Sequence, residues 1–112
     1  MRRSLTRRER IGKGSEIRQM LSSAPRVEAG GLRMAHRPNG SSVTRVAVVV
    51  ARGCGGAVKR NREKRITREA WRSLKDHVAP GHDVVFVVHR FGAGLEERRG
   101  LMRKLIDRAG IA

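Results

Sequence analysis

Seven of the fourteen residues in KRNREKRITREAWR, positions 59–72, are Lys or Arg, and only Glu63 and Glu69 are acidic. Arginine carries a planar fork of donors that grips a phosphate with two hydrogen bonds and stacks on a base, while lysine is a compact point charge. Lys59, Arg60, Arg62, Lys64, Arg65, Arg68 and Arg72 are therefore suited to a polyanion. Asn61, between two arginines, suits a contact to an RNA sugar or base edge, and equally a local backbone hydrogen bond. Across residues 52–75 nine cations stand against two anions, and an ordinary solvated helix face mixes signs more evenly. Phosphate explains such one-sidedness better.

Other reactive residue types are thinly spread. Cys54 sits in GCGG without the Gly-Lys-Ser/Thr ending of a phosphate-cradling loop, so these glycines read as backbone freedom for a tight connection and Cys54 as a small turn residue. His36, His77, His82 and His89 form no pair at metal-ligand spacing. Glu96 and Glu97 fall in the first turn of a helix, where they complement its dipole. No arrangement in the chain looks able to cut a phosphodiester unaided, so no catalytic residue is assigned to the protein.

The basic segment reads as a helix over about 58–78. At about 100° per residue, Lys64, Arg65, Arg68, Arg72 and Lys75 fall within about 60° of Asn61, with Ile66, Ala70, Trp71, Leu74 and Val78 on the core side. Around it, 14–22 reads as a short helix with Ile17, Met20 and Leu21 on one face. RVEA (26–29) and LRMAHR (32–37) read as strands, the first an edge. PNGSS (38–42) reads as a tight hairpin turn, TRVAVVVA (44–51) as a central strand covered on both faces, DVVFVVHR (83–90) as another buried strand, and 95–109 as a final helix capped by Gly110. The order α-β-β-β-α-β-α makes an α+β protein: a small mixed sheet of about four strands covered by helices, a two-layer sandwich of ribosomal-protein type. Residues 1–13 read as a loose basic arm and 14–112 as a single domain.

The net charge of +16 on 112 residues opposes compaction and calls for a polyanionic partner. Trp71, Phe86 and Phe91 are the only aromatics, few for a binder built on stacking platforms. The single cysteine cannot form an internal disulfide, the N-terminus has no apolar stretch of signal-peptide type, and the apolar runs are too short to cross a bilayer. A cytoplasmic protein without a membrane partner is the expectation.

The run from Arg45 to Arg72 resembles the protein subunit of bacterial ribonuclease P, whose signature is Gly-x-Ala-Val, then Arg-Asn-Arg, Lys-Arg, Arg-Glu and a last Arg. Here it is carried by Gly55, Ala57, Val58, Arg60, Asn61, Arg62, Lys64, Arg65, Arg68, Glu69 and Arg72. A weaker likeness extends from about Arg10 to Arg108. The resemblance implies an accessory subunit of a ribonucleoprotein endoribonuclease that removes the 5′ leader of precursor tRNA, with the catalytic site in a large RNA and magnesium acting there. It implies catalytic RNA and precursor tRNA as partners and no obligate protein partner. Arg52, Lys59 and the signature cations with Asn61 would face the catalytic RNA. Ile17, Leu21, Met34 and His36 would line a cleft for the leader. Ile17 and Leu21 stand where the family often has phenylalanines, so apolar contact replaces stacking there, and Arg52-Gly53 stands where the family often has two lysines. The alternative is a structural RNA binder such as a ribosomal protein, which small size and Arg richness fit equally well. The signature separates the two.

Overall fold

The structure, a computed structural model, describes residues 7–51 and 55–112. Its elements are helix α1 (Gly14–Ser23), strands β1 (Arg26–Ala29), β2 (Leu32–Pro38) and β3 (Arg45–Val50), helix α2 (Ala57–Leu74), strand β4 (His82–Val88) and helix α3 (Leu95–Ala109). Short 3₁₀ turns at Arg7–Glu9 and Lys75–His77 complete the set. This is the expected α+β order.

The strands form one mixed sheet in the order β1-β2-β4-β3. β4, continuously apolar from Val84 to Val88, lies in the middle, antiparallel to β2 and parallel to β3. Two expectations change here. The tight hairpin is at Gly30-Gly31, between β1 and β2, not at Asn39-Gly40. Both of those glycines have positive φ, 58° and 79°, as a two-residue hairpin turn requires. Asn39 instead ties the β2–β3 link to β4: its Nδ2 donates to Val43 O and Asp83 Oδ1, each at 2.9 Å. In addition, β3 is an edge strand, not a central one. β4 enters the sheet between it and β2, and among the described residues β3's free edge meets only an isolated bridge from Arg10 to Val46. Its apolar composition reflects burial of its faces more than of its edges.

Alternation along the strands creates two cores. Leu32, Met34, Val46, Val84, Phe86 and Val88 face α2 and α3, where they meet Trp71, Met102, Leu105 and Ile106. The Trp71 and Phe86 rings meet edge to face at 5.7 Å. On the opposite face Ala35, Val85 and Val87 join Met20 of α1 and Ile11, with Ile17 and Leu21 partly buried beside them. The described part of the N-terminal arm is therefore attached to the domain. Ile11 is buried and donates its N–H to Val46 O at 3.0 Å, and Glu9 binds Lys75 Nζ at 3.0 Å. α3 ends where expected, on Gly110 at φ 74°, whose N–H returns to the last turn.

Candidate nucleic-acid interface

α2 begins at Gly56 in extended conformation, runs eighteen residues, and passes into the 3₁₀ turn at Lys75. Its inner flank is Glu63, Thr67, Ala70, Trp71 and Leu74. Ile66, expected in this stripe, is half-buried and outside the core, because the centre of the inner face runs through 63, 67, 70 and 74. The outer face carries the cations. Lys59, Arg62, Arg65 and Arg68 are exposed with Asn61, while Arg60, Lys64 and Arg72 are half-buried. Arg72 is paired with Glu69 at 3.2 Å. Among the described residues Arg65 and Arg68 have no side-chain partner. Lys75 leaves the ridge, since it lies past the α-helix and is held by Glu9. Arg52 falls outside the described residues, as does Cys54.

What seats this ridge is a polar cluster that hydrophobic patterning missed. Glu63 and Arg98 are both about 2 % exposed and pair at 2.8 Å between Oε1 and Nη2. Arg98 Nη1 donates to Thr67 Oγ1 at 2.8 Å, and that hydroxyl donates to Glu63 O at 2.8 Å. Glu63 Oε2 accepts from Gly92 N–H and from Arg62 Nη1, each at 3.2 Å. A buried ion pair survives only when its remaining donors and acceptors are met, and here they are. One of the two acids in the basic segment is thereby withdrawn from the surface, leaving Glu69 as the anion on the outer side. The only advance signal was an acid and a threonine four residues apart on the apolar flank, with Arg98 four residues before Met102 on the apolar stripe of α3.

The cleft residues are divided by strand parity. Ile17 and Leu21, four apart on α1, do share its sheet-facing side. Met34 does not line that cleft: it is fully buried in the other core, against α2 and α3. His36 follows Met34 and Leu32 on that same face by alternation and is half-buried. Burial and the neighbouring His82 lower its pKa. The residues that do lie below α1 are one position off, at Ala35, Ala47, Val49, Val85 and Val87. A one-residue shift in a strand exchanges its faces.

The α1 face has its own charged rim. Asp83 is buried and accepts from Arg45 Nε at 2.8 Å, Arg45 Nη2 at 2.7 Å and Asn39 Nδ2 at 2.9 Å. Burial pushes the Asp83 carboxyl up, but the hydrogen bonds from Arg45 and Asn39 and the charges of Arg45 and Arg37 outweigh it and hold the pKa below the usual range. The bond to Asp83 likewise raises Arg45. Arg45 also reaches Glu16 of α1 at 3.1 Å, and Arg26 Nη1 caps the Leu21 carbonyl at 3.0 Å, so both ends of α1 are fastened to the sheet side. Among the described residues no three His, Cys, Asp or Glu side chains cluster as metal ligands, and no helix is long and apolar enough to cross a membrane.

Comparison with known proteins agrees with this architecture. The ribonuclease P family profile matches residues 5–110. Over 87 residues the chain is 37% identical to the ribonuclease P protein component of Roseiflexus castenholzii, spanning 75% of this chain and 71% of that one. Over 96 residues it is 40% identical to that of Herpetosiphon aurantiacus, spanning 77% of each. Among solved structures, the RNase P protein from Thermotoga maritima superposes with a TM-score of 0.79 at 24% identity, covering 89% of this chain and 96% of that one. The Staphylococcus aureus RNase P protein gives 0.79 at 20% identity, covering 92% and 96%. At those identities the structural likeness speaks for the fold.

Proposed function

This chain belongs to the ribonuclease P protein family, and from that premise we propose that it binds the catalytic RNA of ribonuclease P through the outer face of α2 while the α1 face of the sheet holds the 5′ leader of precursor tRNA. The complex then removes the leader endonucleolytically to give the mature tRNA 5′ end. The observation that carries the reading is the one-sided helix: Arg65 and Arg68 exposed, Trp71 1 % exposed at its back, and Glu63 turned inward. Such a face neutralises phosphates and releases counterions.

On the leader side, Ile17 and Leu21 offer apolar contact to unstacked bases, and Ala47 and Val49, half exposed on β3, extend the floor. Exposed Arg10 and Arg18 supply charge for the leader backbone. The chemistry belongs to the RNA. In this reading magnesium, which the family resemblance implies, acts on the RNA and substrate. The protein's part is to bind, orient and screen charge.

The test is a cleavage assay with a matched catalytic RNA. Protein alone should leave precursor tRNA intact, and added to the RNA it should lower the magnesium needed for cleavage and tighten binding of precursor over mature tRNA. No change in cleavage or in affinity overturns the reading. Ribosomal RNA as the co-purifying species would favour a structural RNA binder instead.

A further inference from the structure

The Arg62–Glu63–Arg98 chain links the exposed face of α2 to the interior. Neighbouring side chains on a helix diverge and do not face each other, yet Arg62 Nη1 reaches Glu63 Oε2 at 3.2 Å. The Arg62 side chain, 46 % exposed, therefore folds back toward the seam between α2 and α3. The carboxylate it meets is itself immobile, being held by Arg98 Nη2 at 2.8 Å and by the Gly92 N–H at 3.2 Å in the β4–α3 loop. Arg98 is fixed in turn by Thr67. Arg62 thus has one of its five donors anchored and the others presented outward in a set direction. Arg65 and Arg68 are exposed and have no such side-chain anchor among the described residues.

We propose that Glu63 and Arg98 are positioning residues for RNA binding: through the shared Glu63 carboxylate they orient the Arg62 guanidinium before RNA arrives, making Arg62 a directional contact to the catalytic RNA. The proposal rests on α2 being the RNA face. Ordering a long side chain in advance removes part of the entropy that binding otherwise loses. A guanidinium can bond Glu63 with one nitrogen and a phosphate with the remaining ones, whereas an ammonium at the same position lacks the fixed fork. Charge alone therefore does not reproduce the role.

The experiment measures affinity for the catalytic RNA at one fixed salt and magnesium concentration. Arg62→Ala should weaken binding roughly tenfold, and Arg62→Lys, which keeps the charge, should recover little of that loss. In a Glu63→Met/Arg98→Met background, which replaces the buried pair by apolar side chains of similar length and keeps the fold, affinity should fall several-fold. Arg62→Ala should then cost much less than in the natural protein. Neither replaced residue contacts RNA, so the salt dependence should stay nearly unchanged. Full rescue by Arg62→Lys overturns the positioning role, and so does an equal cost of Arg62→Ala in both backgrounds. If the double variant fails to fold, the lysine substitution decides alone. If Arg60→Ala, Arg62→Ala and Arg65→Ala all leave affinity untouched, the RNA face lies elsewhere and both readings fall.

Discussion

On its α2–α3 face the sheet presents large side chains, Met34 and Phe86 among them, to Trp71, Met102 and Leu105 of two long helices; on its α1 face it presents Ala35, Val85 and Val87 to one ten-residue helix and Ile11. The first face is closed, and among the described residues charge enters it only as the satisfied Glu63–Arg98 pair. The second is partly open, with Ala47 and Val49 half exposed and with Arg45 and Asp83 at its rim. The larger core is concentrated on one side, while the other keeps Ile17, Leu21, Ala47 and Val49 only partly buried. The cationic ridge of α2 belongs structurally to the closed side, where Ala70, Trp71 and Leu74 behind it are buried in the larger core.

Substitutions can break this division. Trp71→Ala should cost about 3–5 kcal/mol, enough to threaten folding, read by denaturant titration. Arg98→Met alone strands a buried carboxylate and should cost about 3–5 kcal/mol, while the paired change of Glu63 and Arg98 to Met should be near neutral. On the open side Val87→Ala should cost only about 1–2 kcal/mol by the same titration, because that core is shallower and closes more easily. Leu21→Phe should leave stability nearly unchanged but tighten precursor over mature tRNA by about 1 kcal/mol, the low end of base–aromatic stacking, in a binding competition. If instead it tightens both equally, the leader does not lie against α1.

Two solution measurements sharpen the same contrast. With about six phosphates neutralised, log affinity against log salt should slope at roughly −4 to −5, and Arg65→Ala/Arg68→Ala should reduce that by about two. For pH, Asp83 is depressed in the fold, so its contribution is whole above the unfolded carboxylate value of about 3.9 and disappears as pH falls through the lower folded value. Asp83→Asn should flatten that acid limb. His36 is also lowered, so below about pH 6.5 the unfolded chain takes the proton first and stability declines gently, a slope that His36→Gln should remove.

Local rules read the helices and strand bounds well. RVEA, the α3 span and the Gly110 cap follow from alternation, 3.6-residue spacing and a left-handed glycine, all short-range effects. What escaped was non-local. Nothing between 38 and 45 says that β4 will pair with β2 before β3 can, so Asn39-Gly40 resembled a hairpin although Asn39 serves Asp83, far along the chain. Whether Met34 or Ala35 faces α1 depends on which helix covers which face, and periodicity alone does not fix that choice. Glu63 and Arg98 break hydrophobic patterning because their partners lie on another helix. The outer ridge was legible because charge on a helix needs no tertiary partner to show its side.

The bridge between Arg10 and Val46 has a consequence for solubility. β3 is a parallel rim strand rich in valine, the sort of border along which proteins stick to one another. Arg10 and Ile11 lie along the start of that border, and the Ile11 N–H occupies the Val46 carbonyl. Arg10 and Ile11 thereby occupy the stretch of that border where another strand could otherwise add.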